Sequence, residues 1–174
     1  MHLFKTSEKY YKVDPWLVVE EGFDPARQRL SESIFSLANE FMCVRGYFEE
    51  GYSGDHLLGS YFSQLYEIMD IKYPQRFKGF ITEGATMLNA VDWLYTRISV
   101  DGEELDLAKV KFSDFRRTLD LRSATLKREF VWTTSQQKQL RLTFLRFTDM
   151  VHTNRGGQRI IFEPLNFSGE VKVC

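Results

Sequence analysis

The alternation of apolar and polar residues is clearest in the second half of the chain. From Leu126 to Trp132 every second side chain falls on one face, and Leu140–Phe144 repeats this period after the polar turn Thr133–Gln139. A period of two is typical of a half-buried β-strand. The two segments therefore predict an antiparallel hairpin, with Leu126, Arg128, Phe130 and Trp132 on one face of its first strand.

The first half shows weaker strand patterns separated by glycine, proline and aspartate turns. Asp101-Gly102 favours a type I′ turn, which requires positive φ at both central residues, and it predicts a second hairpin. Asp24-Pro25 predicts a short helical turn, and Ser31 or Ser33 predicts the start of another brief helix. Other predicted strands are Trp16–Val19, Phe41–Phe48 with an interruption at Gly46, Ser60–Met69, Met87–Leu94, Tyr95–Val100, Ile160–Phe162 and Val171–Val173.

These patterns predict one all-β domain built as an antiparallel β-sandwich with a few short helices. A chain of 174 residues with 43% hydrophobic side chains can bury one substantial core, but two domains would be crowded. The aromatic content of 15% also favours sheets. The last predicted strand ends at Cys174 without a charged or proline-containing tail, so we expect the domain to continue beyond it.

Charge is divided unevenly along the chain. Residues 1–108 carry 10 basic and 18 acidic side chains, a net charge of −8, whereas residues 109–174 carry 13 and 6, a net charge of +7. A basic half can mark a nucleic-acid surface, but two parts of one fold that attract each other give the same pattern. Because the basic residues are scattered, we favour internal attraction.

Aromatic and basic residues are interleaved in two segments, Phe112–Arg117 and Arg128–Trp132. Such residues can stack on bases or sugar rings. Their aromatic positions also match strand alternation, so core packing is the preferred interpretation.

Motifs for self-contained chemistry are missing from the sequence, which has no phosphate-binding glycine loop, C-x-x-C pair, H-E-x-x-H element or G-x-S-x-G elbow. His2, His56 and His152 are isolated, and the apolar run around Cys43 indicates a buried free thiol, with Cys174 far away. We predict no catalytic, cofactor-binding or metal-binding residue in this chain.

Three pairs of adjacent glutamates, Glu20-Glu21, Glu49-Glu50 and Glu103-Glu104, suggest a glycosidase. Strand neighbours point to opposite faces, however, and two carboxylates that act on one glycosidic bond must converge from separate elements. We therefore expect one solvated and one ion-paired or capping carboxylate in each pair. A contact from Arg45 to Glu49 or Glu50 would fix the intervening loop.

The N-terminus lacks the apolar core of a secretory signal, and no segment approaches the roughly 18 to 20 apolar residues of a membrane span. The sequence therefore predicts a cytoplasmic protein without a membrane partner.

Three segments carry a resemblance to a known family. Trp16–Glu67 contains E-E-G-F-D-P, E-S-I-F-S-L-A-N-E-F-M-C-V-R-G-Y-F-E-E-G and G-S-Y-F-S-Q-L-Y-E, Phe115–Trp132 reads F-R-R-T-L-D-L-R-S-A-T-L-K-R-E-F-V-W, and Pro164–Val173 reads P-L-N-F-S-G-E-V-K-V. Together, and in this order, they resemble the N-terminal part of the disaccharide phosphorylases of glycoside hydrolase family 65. Four residues depart from the family's pattern of glycines: Ala38, Glu40, Cys43 and Ala124.

The resemblance implies an N-terminal β-sandwich followed by a helical linker, an (α/α)6 barrel and a small C-terminal β-domain. It implies inverting phosphorolysis of α-linked glucose disaccharides, with inorganic phosphate as co-substrate and β-glucose 1-phosphate as product. The family's catalytic residues belong to the barrel, so residues 1–174 alone are expected to be inactive. The implied partners are the barrel of the same protein and a second subunit in a homodimer, and we expect the loop Tyr52–Leu58 to face one of them.

Two other functions remain open at this point. An autonomous carbohydrate-binding sandwich would show an exposed row of Trp or Tyr on one face, and an RNA-binding module would show salt-dependent binding to single strands.

Overall fold

The chain folds almost entirely into antiparallel β-sheet. A computed structural model describes residues 10–75 and 77–174, and these form three sheets. The strands are β1 Tyr11–Val13, β2 Leu17–Glu21, β3 Leu37–Ala38, β4 Met42–Val44, β5 Ser60–Asp70, β6 Glu83–Asn89, β7 Ile98–Val100, β8 Glu103–Glu104, β9 Lys111–Asp120, β10 Thr125–Thr133, β11 Gln139–Thr148, β12 Gly156–Pro164 and β13 Val171–Val173. A 3-10 turn, Pro25–Arg27, leads into the helix α1, Gln28–Ile34.

The largest sheet has six strands in the order β1-β2-β9-β10-β11-β12. Strands β10 and β11 pair from Thr125 opposite Phe147 to Thr133 opposite Gln139, which confirms the predicted hairpin. Strand β2 returns from the N-terminal part to pair with β9, with Val18 opposite Leu119. The sheet therefore joins the acidic and basic parts of the sequence.

A second layer covers the inner face of this sheet. Its three strands are ordered β13-β7-β8, and Asp101 and Gly102 between β7 and β8 have φ values of 51° and 83°, as a type I′ turn requires. The remaining sheet is ordered β3-β4-β5-β6.

The main core lies between the six-stranded sheet and this second layer. Phe130 and Phe144 stack with ring centroids 6.1 Å apart, and Phe115 stacks on the other side of Phe130. Burial of one such side chain contributes roughly 1.5–3 kcal/mol. The core residues are Phe48, Tyr52, Ile98, Val100, Leu105, Leu107, Phe115, Phe130, Trp132, Leu140, Leu142 and Phe144. The all-β sandwich and the packing of its aromatic residues are confirmed.

A side-chain cap starts the 3-10 turn, whereas no side-chain cap starts α1. The Asp24 side chain accepts a hydrogen bond of 3.0 Å from the Ala26 backbone N–H, so the prediction of a cap before Pro25 is confirmed. The prediction that Ser31 or Ser33 starts the next helix is wrong, because both lie within α1. The Ser31 hydroxyl instead donates to Glu20 at 2.7 Å, a tertiary contact that overrides its tendency to cap.

Strands β5 and β6 form a projecting hairpin, which we call the arm (Ser60–Asn89). Beyond Gln64 nearly every residue of both strands is exposed. The predicted strand Met87–Leu94 is shifted, because β6 ends at Asn89, whose side chain accepts from the Ser60 N–H and donates to the Leu58 carbonyl. Those bonds close the base of the arm.

The residues that depart from the family's glycine pattern differ in conformation. Ala124 has φ of 51°, in the left-handed region that glycine adopts without steric cost. Ala38, Glu40 and Cys43 are not among the described residues with positive φ. Cys43 is half-buried and Cys174 exposed, and both are free thiols.

Candidate functional site

Three buried arginines project from adjacent strands of the six-stranded sheet. Arg117 of β9 lies opposite Arg128 of β10, and Arg146 of β11 lies opposite Leu126 of β10. All three are 3% exposed or less. We call them the arginine platform. Three positive charges in a core require anionic or carbonyl partners, because burying an unpaired charge costs several kcal/mol.

The central arginine holds two neighbouring glutamates of one turn. Arg128 donates from Nη1 to Glu50 Oε1 at 2.7 Å and from Nη2 to Glu49 Oε2 at 2.8 Å, and it also contacts Glu50 Oε2. Arg146 donates to the Arg45 carbonyl at 3.1 Å and lies 3.6 Å from Glu49 Oε1. The turn after β4 is thus fixed to two strands at once.

Two predictions about this turn are wrong. Glu49 and Glu50 are both buried, at 3% and 2% exposure, instead of one being solvated. They lie in a turn, so their side chains are free of strand alternation and can reach the same guanidinium. Arg45 contacts neither of them, because its guanidinium donates to the Leu57 carbonyl and the Ser33 hydroxyl.

The third arginine connects the start of the same loop to the first part of the chain. Arg117 Nε lies 2.8 Å from Glu20 Oε2, and Nη1 donates to the Gly46 carbonyl at 2.9 Å. Its Nη2 donates to Gln28 Oε1 at 3.1 Å. Glu20 and Arg117 are each 1% exposed, so this ion pair is sealed from water. Glu21, its neighbour, is solvated and pairs with Lys12, as predicted for this pair.

Burial and neighbouring charges set the protonation of the cluster. Burial favours the neutral acid, but Arg146 and Arg128 outweigh it at Glu49 and hold its pKa below the ordinary value. Burial dominates at Glu50 and raises its pKa despite Arg128, with a further contribution from the charge of Glu49. Burial lowers the pKa of Arg117 and Arg146. The platform therefore holds charge in the interior and presents none of these groups to solvent.

The far end of the loop is fixed to α1. Buried Glu32 accepts from the Leu57 backbone N–H at 2.7 Å and from Gln28 Nε2 at 3.0 Å, and burial raises its pKa. Arg45 Nε donates to the Leu57 carbonyl at 3.1 Å. Both ends of the segment Arg45–Gly59 are therefore held by charged side chains, and we call this segment the anchored loop.

The outer surface of the anchored loop carries the remaining candidate chemistry. Tyr52 packs into the core between Phe23 and Phe48, whereas Leu57 and Leu58 are 48% and 40% exposed. His56 Nδ1 lies 2.8 Å from the Gly54 carbonyl. The loop surface thus combines a rigid base with an apolar rim.

An open cleft of about 290 Å³ lies beside the loop and is bordered by Ser53, Tyr95, Glu104 and Asp106. Asp106 accepts hydrogen bonds from the Ser53 and Ala108 backbone N–H groups and pairs with Lys109. Burial raises the pKa of Asp106, but these bonds outweigh burial and lower the pKa to about 2. Glu104 pairs with Arg97 at 3.3 Å. These carboxylates already have partners, so the cleft suits docking better than acid–base chemistry.

A second depression, on the opposite face of the large sheet, is lined by Asp114, Arg116, Glu129 and Arg141 and lies away from the loop.

The histidines stay apart. His152 lies 3.6 Å from Asp149, His56 lies in the loop, and His2 is outside the described residues. Across residues 10–75 and 77–174 no three His, Cys, Asp or Glu side chains are arranged to hold a metal ion.

The aromatic residues that suggested stacking on bases or sugars lie in the core. Phe115, Phe130 and Trp132 are 5%, 1% and 0% exposed, and Trp132 is the only Trp or Tyr of strands β9 to β12. The exposed row of Trp or Tyr expected of a carbohydrate-binding face is therefore missing from these four strands.

Sequence reasoning missed the arginine platform, although its signal was present. Arg128 occupies the inward position between Leu126 and Phe130 in the alternation, a position that an apolar residue normally takes. An arginine there, together with an acidic first half, indicates a buried ion pair. The predicted attraction between the acidic and basic halves is confirmed by Glu20–Arg117 and Glu49–Arg128.

Comparison with known proteins identifies the family. Residues 18–174 match the model of the N-terminal domain of glycosyl hydrolase family 65. The chain is 33% identical to an alpha,alpha-trehalose phosphorylase from Thermoanaerobacter brockii over 171 residues, 97% of this chain and 22% of that protein. It is 31% identical to a maltose phosphorylase from Bacillus subtilis over 144 residues, 83% of this chain and 19% of that protein.

A solved structure gives the same result. A chain from the human microbiome, assigned as a kojibiose phosphorylase, superimposes with a TM-score of 0.87 at 38% identity, covering 94% of this chain and 22% of the other. The chain spans about a fifth of the length of the curated relatives it matches. With its sandwich fold and its three matching segments, the chain belongs to glycosyl hydrolase family 65, and residues 18–174 correspond to the family's N-terminal domain.

Proposed function

We propose that residues 1–174 form the non-catalytic N-terminal domain of a phosphorylase that cleaves α-linked glucose disaccharides. Inorganic phosphate is the co-substrate and β-glucose 1-phosphate the product. The observation that carries the non-catalytic assignment is the sealed position of Glu49 and Glu50 on Arg128. A general acid must reach the bond that it protonates, and neither carboxylate is accessible.

The structural role that we assign is support of the anchored loop. Its ends are fixed by Arg117, Arg128, Arg146 and Glu32, which limits the entropy lost when its exposed rim contacts another surface. Leu57 and Leu58 provide an apolar contact. We infer that this rim faces either the catalytic barrel of the same protein or a partner subunit in a homodimer.

We also propose that the enzyme works in the cytoplasm. No α-helix among the described residues has the length and apolar character needed to cross a membrane.

An assay of the full-length protein tests the proposed activity. Trehalose, kojibiose, nigerose and maltose are each incubated with and without phosphate, and the sugar phosphate formed is measured together with its anomeric configuration. We expect one disaccharide to give β-glucose 1-phosphate only when phosphate is present. Phosphate-independent release of glucose, or an α-configured product, would contradict the proposal.

Substitution of the loop rim tests the structural role. Leu57→Ser with Leu58→Ser keeps the backbone bonds to Glu32 but removes the apolar contact, so we expect a raised KM or a loss of dimer mass. Leu121→Ser, at an exposed turn remote in sequence from the anchored loop, is the matched control. Unchanged kinetics and unchanged mass in the double variant would exclude the rim as a contact.

A further inference from the structure

The free edge of the arm is unusual for a natural sheet. Strand β6 lies at the end of the order β3-β4-β5-β6, and its sequence E-G-A-T-M-L-N contains neither lysine nor proline. Exposed edges are normally protected by such residues or by bulges, because their unpaired backbone groups attract other strands. Pairing with β5 is regular from Tyr66 opposite Met87 to Asp70 opposite Glu83, and the register shift between Tyr61 and Tyr66 places its extra residues in β5 and not in β6.

The hydrogen-bond pattern shows which groups point outward. Ile71 N donates to the Thr82 carbonyl at 2.9 Å, so in the antiparallel ladder Gly84 and Thr86 also bond towards β5. The backbone groups of Glu83, Ala85 and Met87 therefore point towards the free edge. Three residues with the spacing of a strand ladder are available for pairing.

We propose that β6 pairs antiparallel with β6 of a second copy of this chain, joining two four-stranded sheets into one sheet of eight strands. Full overlap of the strand places Thr86 opposite Thr86 of the second copy on the two-fold axis, and Ala85 opposite Met87. In this register the outward-pointing residues form the hydrogen-bonded pairs. Because a two-fold interface uses the same patch on both subunits, the patch must be complementary to itself.

The strand is complementary to itself in size and charge. Small residues meet large ones, since Gly84 lies opposite Leu88 and Ala85 opposite Met87. Glu83 lies opposite the neutral Asn89, so the two like charges are kept apart. Met87 and Leu88 are 42% and 36% exposed in the single chain, and the pairing would cover them.

This inference rests on the proposed homodimer and specifies its surface. Its first test is the mass of the full-length protein by sedimentation velocity. We expect the wild type to be a dimer. Thr86→Lys brings two lysines together on the axis, and Ala85→Pro removes an outward N–H. Each variant should be monomeric, with a dimer dissociation constant raised at least 100-fold. Ile161→Lys, an exposed position on the edge strand β12, adds the same charge and should leave the mass unchanged.

A cross-link tests the register independently of any loss of folding. In a Cys174→Ser background, Thr86→Cys should form a disulfide between copies, because non-hydrogen-bonded partners have Cα atoms about 4.5 Å apart, within disulfide range. Ile161→Cys in the same background should stay monomeric on a non-reducing gel.

The outcomes separate the two proposals. The edge pairing is overturned if the wild type is a dimer, the Thr86→Lys variant is also a dimer and the Thr86→Cys variant forms no cross-link. The homodimer itself then remains in place. A monomeric wild type overturns both, and the phosphorolysis assay is judged separately in either case.

Discussion

Removal of the central arginine tests whether the platform stabilises the domain. Arg128 is 3% exposed and supplies both hydrogen bonds of Glu50 and one of Glu49. Arg128→Met keeps much of the side-chain volume but leaves two carboxylates in the core, with only Arg146 near Glu49. Breaking a buried pair by removing one partner costs about 3–5 kcal/mol, so we expect a loss of that size in the free energy of unfolding.

Urea denaturation at pH 7 measures this loss, with Arg141→Met as the matched control. Arg141 pairs with Glu163 at the surface, where both side chains are about half exposed, and its removal should cost less than about 1 kcal/mol. Adding Glu50→Gln to Arg128→Met should restore part of the stability, because it removes the carboxylate that has lost its arginine, while Glu49 still faces Arg146. If Arg128→Met costs no more than Arg141→Met, the carboxylates are not buried as charges and the reasoning fails.

The same variant should respond to pH in a defined direction. Burial raises the pKa of Glu50 in the folded state, so the folded protein takes up a proton more readily than the unfolded chain. A carboxyl whose pKa is higher in the folded state than in the unfolded chain makes the folded state less stable as the pH rises above the pKa of the unfolded chain. We therefore expect the penalty of Arg128→Met to be smaller at pH 5 than at pH 7, and a larger penalty at pH 5 would contradict this assignment.

Three further changes test other parts of the structure. Ala124→Gly should stabilise the protein by about 1 kcal/mol, because φ of 51° strains alanine but not glycine; thermal unfolding measures this, and a destabilised variant would refute it. Asp106→Asn should abolish the part of acid unfolding between about pH 4 and 2, because the pKa of this carboxylate is lowered to about 2 and its contribution to stability is lost as the pH falls through that value. At pH 7 the variant should lose about 1 kcal/mol in the free energy of unfolding, a value reduced by solvent screening, and an unchanged acid titration would count against the prediction. Gly46→Ala should destabilise by about 1–3 kcal/mol, since an added Cβ would lie 2.8 Å from Phe35 Cβ; wild-type stability in urea would show that the chain relaxes there.

Alternation and turn chemistry predicted the sandwich from residues that obey local rules. The β10–β11 hairpin and the Asp101-Gly102 turn follow from a period of two and from the φ preference of glycine. The start of α1 and the limits of β6 were not predictable in this way. Ser31 bonds to Glu20, eleven residues away, and Asn89 closes the base of the arm, so tertiary bonds set both boundaries.

The candidate site was predictable only in part. The sequence indicated that the halves attract each other and that an arginine meets Glu49 or Glu50 to fix a loop, but it indicated Arg45, whereas the structure has Arg128. Arg128 lies 78 residues from Glu50, and the partners meet only because the loop after β4 packs against β9, β10 and β11. The open edge of β6 could not be predicted either, because strand order cannot be read from alternation.

The arginine platform also makes the rigidity of the anchored loop depend on the large sheet. Its bonds to the anchored loop span 71 residues from Arg117 to Gly46, 78 from Arg128 to Glu50 and 101 from Arg146 to the Arg45 carbonyl. Contacts so distant in sequence form slowly, because the intervening chain must first be closed into a loop. The rim of the anchored loop can become rigid only after β9, β10 and β11 have paired. Any neighbour that recognises the rigid rim therefore recognises a domain whose large sheet is already complete.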